Sequence, residues 1–482
     1  MKSTFTPALS RRGFLAGSAA AGAAVSLHPA WADTPNTFTL RAAPGQAQLA
    51  PEPWGKTDVW CYGGAVPGPE IRVRQGDRLR IDVENALAEE TTVHWHGLRV
   101  PNAMDGVPHL TQAPIAPGAR FAYEFDAVDA GTFWYHPHQR SFEQVGRGLY
   151  GALIIEEANP PRADREMVWV LDDWRLNQAA EIDDSFGGFH DMSHAGRLGS
   201  TVTINGRVPG AVPVRAGERV RLRLINAANA RIFALDFGNL APQVIALDGQ
   251  PVTPHAPQEA RGWVVIGPAM RVDLMLDMGG APGETVTVID RFFTDRNFEV
   301  VDLAYSETPL RDAAPDWDMA LAPNPLPEPD IARAQRHNVT FTGGMMGGMV
   351  ERQMGLANDG GGMGGGMMNR MHDGGIWFVN GVAAEGHILE PMLTLERNVS
   401  HVIAMTNATA FHHPIHLHGH SFRVISRNGT PTAHREWQDT VLMAPRERVE
   451  IAFVTDNPGD WMFHCHILEH QAGGMMGVIR VS

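Results

Sequence analysis

The chain has 482 residues, with 39 Lys and Arg against 54 Asp and Glu, a formal net charge of −15, and 51 Gly with 34 Pro. This balance offers no basic stripe for phosphate neutralisation, so no nucleic-acid partner is expected, whereas approach of cations is favoured. Beyond the amino-terminal segment no uninterrupted apolar run reaches the roughly 18 residues needed to cross a bilayer, so no membrane insertion is expected.

The chain opens with Ser10-Arg11-Arg12-Gly13-Phe14-Leu15, an Ala/Gly/Val-rich stretch and a cleavage-like Ala30-Trp31-Ala32. This pattern reads as a twin-arginine export signal over residues 1–32, with the periplasm as destination. Its removal would delete Lys2, Arg11 and Arg12 and take the formal charge from −15 to −18.

The remaining chain is rich in short alternating segments. Three of them share one pattern: Arg74 to Asn85, Arg215 to Asn226 and Glu396 to Asn407, each with a Gly or Asn (Gly76, Gly217, Asn398) nine residues before a closing Asn. That spacing suits a turn tolerant of left-handed backbone feeding an alternating strand, and its recurrence is an internal repeat. Alternation recurs at Phe121 to Phe125, Gly262 to Ile266 and Arg271 to Leu276, with Gly and Pro between. The expectation is an all-β chain of three Greek-key sandwiches at 33–160, 161–308 and 336–482, with 309–335 as linker.

In chain order the histidine pairs are His94-Trp95-His96-Gly97, His136-Pro137-His138, His413-Pro414-Ile415-His416-Leu417-His418 and His464-Cys465-His466, the last followed by His470 and Met475. In an extended segment His464 and His466 point one way and Cys465 the other, so one segment can serve two metal centres. A single His-x-His pair is weak evidence, because imidazole suits copper, zinc, iron and nickel alike. Four pairs with one thiolate and a thioether point to redox copper. Carboxylates are absent from the cluster, which argues against calcium, magnesium and two-metal hydrolases. With Cys465 assigned to metal, Cys61 is left unpaired and is expected in a core.

The motifs HWHG, HPH, HPIHLHG and HCHILEH resemble those of three-domain, laccase-like multicopper oxidases. The resemblance implies cupredoxin domains and four copper ions. His413, Cys465, His470 and axial Met475 would hold the type 1 copper, and His94 with His416 the type 2. His96, His136 and His466 would hold one type 3 copper, and His138, His418 and His464 the other. Because these residues fall in the first and third domains, the trinuclear cluster should sit between them, with the middle domain structural. Cys465 would also conduct electrons to His464 and His466, where dioxygen becomes water. Asp105 matches an acid expected to supply protons near the type 2 copper. Gln471 departs from the family pattern, which has an acid there, and leaves Glu469, Glu143 or water as alternatives. Asp439, in Trp437-Gln438-Asp439-Thr440, would either meet an incoming cuprous ion near the type 1 edge or orient a ligand by a hydrogen bond.

From Gly343 to Gly375 the alternation stops, and eight methionines (Met345, Met346, Met349, Met354, Met363, Met367, Met368 and Met371) sit among thirteen glycines. Thioethers select Cu(I) and glycine permits rearrangement, so the segment is expected to recruit Cu(I); a flexible apolar linker is the plainer reading. The expected function is oxidation of Cu(I) coupled to reduction of dioxygen, in copper tolerance. Phenol or aromatic-amine oxidation, with a small aromatic reductant, is the second reading. A non-enzymatic copper carrier would leave the ten-histidine set unexplained. Three domains on one chain make a monomer sufficient.

Overall fold

The computed structural model describes residues 36–258, 261–356, 375–384, 386 and 390–482. The leader and Met363, Met367, Met368 and Met371 lie outside the described residues.

The chain is an all-β protein of cupredoxin-like Greek-key sandwiches. Six sheets pair around three main cores, one drawing on residues between Leu40 and Ile155, one between Trp169 and Tyr305, and one mainly between Val339 and Val481. The three repeated segments form equivalent strands, Arg78–Asn85, Arg219–Asn226 and Ser400–Asn407, each entered through a left-handed residue: Gly76 (φ 90°), Gly217 (φ 77°) and Asn398 (φ 59°). Each closing asparagine does the same work. The Asn85 amide donates to the Glu89 and Ile115 carbonyls and its oxygen accepts from Leu87 N–H. Asn226 holds Arg231, Ile266 and Ala228 in this way, and Asn407 holds Phe411, Ala444 and Thr409. All three are buried, so the bonds replace water for backbone groups that leave the sheet there.

The strands differ in what lies outside them. Arg78–Asn85 alternates buried with half-exposed residues, but Arg219–Asn226 is buried throughout. Its outward side chains are Arg219, Arg221 and Arg223, all at most 2% exposed. Arg221 and Arg223 share Asp273 at 2.7 and 3.0 Å, and Arg221 also reaches Glu157 at 2.6 Å. Thr132, on a strand of the first core, donates to Asp273 at 2.6 Å. The polar members of the alternation thus face another part of the protein instead of solvent. Residues between 306 and 334 carry no strand; they run beside this layer, where Asn324 bonds Ala130 and Gln250 and Arg311 pairs with Asp164.

In the first and last units one sheet carries the histidine motifs, with matching geometry. His94–His96 pairs antiparallel with Gly131–His136, placing His94 opposite His136. His413–Leu417 pairs antiparallel with Gly459–Cys465, placing His416 opposite His464.

Burial pushes the Asp273 carboxyl up, but Arg223 and Arg221 outweigh it and hold it below the usual range. Its contribution is therefore present above the unfolded carboxylate range and is lost as pH falls through the depressed value. Asp273→Asn, which leaves two buried guanidiniums short of charge, is expected to lower unfolding free energy by about 3–5 kcal/mol, read from denaturant unfolding at neutral pH.

Candidate metal centre

Eight buried imidazoles meet where the two histidine-bearing sheets face each other. His94 stacks on His418 (ring centroids 3.9 Å apart) and His96 stacks on His416 (3.8 Å), a reciprocal pairing of the His-x-His segments across the interface. His466 Nε2 faces His136 Nε2 at 3.3 Å, and His418 Nε2 faces His464 Nε2 at 3.2 Å. Three triads have nitrogens close enough for a shared ion: His94/His138/His418, His94/His96/His416 and His96/His136/His466.

The outer nitrogen of most rings is engaged. His94 Nδ1–H donates to the Asp105 carbonyl at 2.7 Å, His416 Nδ1–H to the Asp439 carbonyl at 2.8 Å, and His464 Nδ1–H to the Cys465 carbonyl at 2.9 Å. His418 Nδ1–H donates to the Asp105 carboxylate at 2.9 Å. These bonds fix the tautomers and leave the inward nitrogens as lone pairs. Nε2 of His94, His138 and His416 and Nδ1 of His96 and His466 are buried with no hydrogen-bond partner. Burial, aided by neighbouring histidines, holds His96, His136, His138, His418, His464 and His466 well below the usual imidazole range, so they are neutral at pH 7. Within each triad one ring nitrogen per histidine lies within 4.8 Å of the others, and buried lone pairs without partners are costly unless a cation binds them, so the donor set fits metal.

The second centre lies on the far side of Cys465. Its Sγ is 3.4 Å from His413 Nδ1 and 3.6 Å from His470 Nδ1, and it accepts from Ile467 N–H at 3.4 Å. His413 Nε2 meets Thr409 Oγ1 at 2.8 Å and His470 Nε2–H donates to the His194 carbonyl at 2.6 Å, again freeing Nδ1 for an ion. Met475 is buried in the same core as Cys465, and its carbonyl accepts the Cys465 N–H. Burial pushes the Cys465 thiol up and brings His470 down to about 3. A thiol in such surroundings ionises only with a cation beside it, which again fits a thiophilic metal.

Sequence comparison agrees with this donor set. Three family models described as multicopper oxidase match residues 45–160, 165–297 and 365–482. A multicopper oxidase structure from Pseudomonas thermotolerans is 33% identical, covers 92% of this chain and 99% of its own, and superposes with a TM-score of 0.79. The chain belongs to the multicopper oxidase family. It is also similar to multicopper oxidase MmcO of Mycobacterium tuberculosis (29% identity, 97% of this chain and 95% of the relative). A Campylobacter jejuni multicopper oxidase, described as a metallo-oxidase, is 26% identical with a TM-score of 0.74, covering 92% of this chain and 91% of its own. Members of this family bind copper and use dioxygen with a reductant.

Of the predicted residues, the ten histidines and Cys465 fall into these two centres. Asp105 is fully buried between His94 and His418; Oδ2 accepts from His418 Nδ1–H, and Oδ1 makes no hydrogen bond but lies 3.3 Å from His94 Nδ1. Asp439 requires a correction. It is not at the type 1 edge but beside His96 and His416, 1% exposed, with both oxygens on Arg271 at 2.5 and 2.9 Å. Burial pushes Asp439 up, but the Arg271 guanidinium holds it below the carboxylate range. An incoming ion has no access to it, and its place fits the ligand-orienting reading. Gly97 of HWHG is required here, because a Cβ at that left-handed position (φ 87°) would overlap Arg271 and Asp439. Gln471 lies 3.5 Å from His138 Nδ1; Glu469 is turned to Asn229 and the Arg197 N–H, and Glu143 to Arg140 and Arg147.

Sequence reasoning missed the middle unit's part in both centres. Arg271 lies on its strand Arg271–Asp277, and Asp248 beside it accepts the Asp439 and Thr440 N–H groups at 3.2 and 3.0 Å. His194 follows its short helix Phe189–Ser193. Trp377 was also missed; its ring lies 4.3 Å from His470 and 5.1 Å from His413, and its indole N–H donates to the Met192 carbonyl. The alternation in Arg271–Leu276 marked a strand, but nothing local marked its first arginine as buried.

Asp439→Asn removes the charge that Arg271 neutralises while keeping the side-chain shape. Copper content by mass spectrometry under limiting metal is expected to fall, with affinity at the eight-histidine cluster down by roughly 10–100-fold.

Proposed function

We propose that the protein couples one-electron oxidation of Cu(I) to four-electron reduction of dioxygen to water, serving copper tolerance in the periplasm after twin-arginine export, as a monomer. The observation that carries the copper assignment is the pair of buried centres joined by His464-Cys465-His466. His413, Cys465, His470 and Met475 would hold the type 1 copper. His94 and His416 would hold the type 2 copper, His96/His136/His466 one type 3 copper and His138/His418/His464 the other. When bound, these ions supply a one-electron acceptor in the Cys465 pocket and a multi-electron site for dioxygen in the histidine cluster.

Cys465 is covalently adjacent to His464 and His466, so electrons accepted on one side have a short bonded path to the other. Asp105 lies between His94 and His418 with one oxygen free of hydrogen bonds, in place to hold and pass the protons that dioxygen reduction consumes. A cavity of about 230 Å³ reaches His138 and Gln471 past Val107, Leu110, Met462 and Val478. Its mainly apolar lining suits an uncharged diatomic gas, so dioxygen is assigned to this approach and proton delivery to the Asp105 side.

The choice of Cu(I) as donor rests on the methionine-rich segment. Met346 and Met349 are 51% and 45% exposed, which leaves their thioethers open to solvent. The Campylobacter relative's description as a metallo-oxidase supports the same choice. A laccase acting on phenols is the second reading, favoured by the aromatic cover of the type 1 pocket, Trp377 and Phe411.

Dioxygen uptake by copper-loaded protein with Cu(I), beside a phenolic donor, tests the donor. Replacing all eight segment methionines by leucine keeps apolar volume and removes the ligands. Cu(I) turnover at limiting Cu(I) should fall at least tenfold while phenol oxidation persists; unchanged Cu(I) turnover would transfer the assignment to laccase. Separately, Asp105→Asn should lower turnover with either donor by about 10²–10⁴-fold if it carries protons, with the visible absorption of the type 1 centre retained.

A further inference from the structure

A second set of soft ligands lies outside both centres, on the middle unit. Between the strands Arg165–Trp174 and Thr201–Ile204 the chain leaves the sheet and places the helix Phe189–Ser193 against the helix Leu468–Ala472, which carries His470. His190 and His194, one turn apart, stack in parallel with ring centroids 4.2 Å apart and planes at 10°. The His190 side chain is 82% exposed. His194 Nδ1–H is committed to the His190 carbonyl at 3.0 Å, so its Nε2 is the atom left for a ligand. Met192 lies between them in sequence, and Met345 N–H donates to the Ser193 carbonyl at 2.8 Å, seating the start of the methionine-rich segment against this helix.

This pair is tied to the type 1 pocket. The carbonyl of His194 itself accepts the His470 Nε2–H at 2.6 Å. The other parallel histidine pair, His255 and His434, has His255 held by Glu436 at 2.6 Å and no such bond to a predicted ligand among the described residues.

We propose that His190 and His194 form the electron-entry site for a monovalent soft metal ion, holding substrate Cu(I) at the surface while its electron passes through His194 and the carbonyl-to-imidazole hydrogen bond to His470. This rests on the cuprous-oxidase reading. The parallel rings hold their lone pairs in separate planes, so the exposed His190 turns out of the stack to close on an ion with His194 Nε2; two imidazoles at i and i+4 then satisfy the low coordination number of a d¹⁰ monovalent ion. Each Cu(I) gives up one electron and leaves as Cu(II). Four such electrons, with four protons, reduce one dioxygen to two waters at the histidine cluster.

Silver(I), a redox-inert ion of the same charge, probes the site directly. Copper-loaded wild type, His190→Ala and His190→Ala/His194→Ala are compared for silver stoichiometry by calorimetry and for Cu(I)-dependent dioxygen uptake. Alanine at 194 keeps the carbonyl, and the exposed single variant guards against misfolding in the double one. The expected result is loss of one silver equivalent in the double variant, with KM for Cu(I) raised at least tenfold, kcat changed less, and recovery of silver binding by His190→Met. Full silver binding and unchanged KM in both variants would overturn the site while leaving the cuprous-oxidase reading in place. A wild type inert toward Cu(I) would overturn that reading and the electron-entry role together.

Discussion

The structure depends on holding eight buried imidazoles together with lone pairs facing one another. Without a cation this arrangement is unfavourable, since at least five buried ring nitrogens have no partner. The protein must therefore impose it. The reciprocal stacking of His94 on His418 and His96 on His416 does so by docking the two histidine-bearing sheets against each other, so the geometry comes from strands and the residues immediately after them, His138, His418 and His466. Backbone carbonyls and Asp105 then take the outward N–H groups, which leaves few tautomers free to choose.

The same logic explains why the middle unit is more than a spacer. The clustered histidines come from the first and third units, yet Arg271 and Asp248 fix the Asp439-Thr440 turn beside His96 and His416. The His194 carbonyl and Asn229 reach the helix bearing His470 and Glu469. Copper sites at an interface between two units are exposed to any change in their relative position. A third unit bonded to both sides limits that freedom, and the buried Arg221/Arg223/Asp273 cluster with Thr132 ties it to the first unit.

Much of this was legible in the sequence because it was written at short range. A period of two identifies a strand, the Gly-to-Asn spacing identifies its turn and its closing hydrogen bonds, and His-x-His with an intervening Cys separates two faces of one strand. What could not be read were pairings whose partner is remote. Asp439 and Arg271 are 168 positions apart, and nothing near either marks the bond. The family resemblance leaves Asp439 either at the type 1 edge or orienting a ligand, and only tertiary docking, which buries it against Arg271, separates the two. The all-buried strand Arg219–Asn226 likewise reads as half-exposed until the surface it packs against is known.

Asp105 and Gln471 both approach the His94/His138/His418 group, and the two approaches are chemically unlike. On one side Asp105 presents a carboxylate to two imidazoles. On the other, His138 meets an amide at 3.5 Å and an approach lined by Val107, Leu110 and Met462. A carboxylate at 471 would bring charge into that approach and order water along it; an amide binds water more weakly and cannot exchange a proton at neutral pH. Glu469 has both carboxylate oxygens engaged, one by Asn229 and one by the Arg197 N–H. On the proposed reading, proton chemistry stays at the Asp105 side, and the amide at 471 keeps a carboxylate out of the approach to His138, which Gln139 and Arg140 also line.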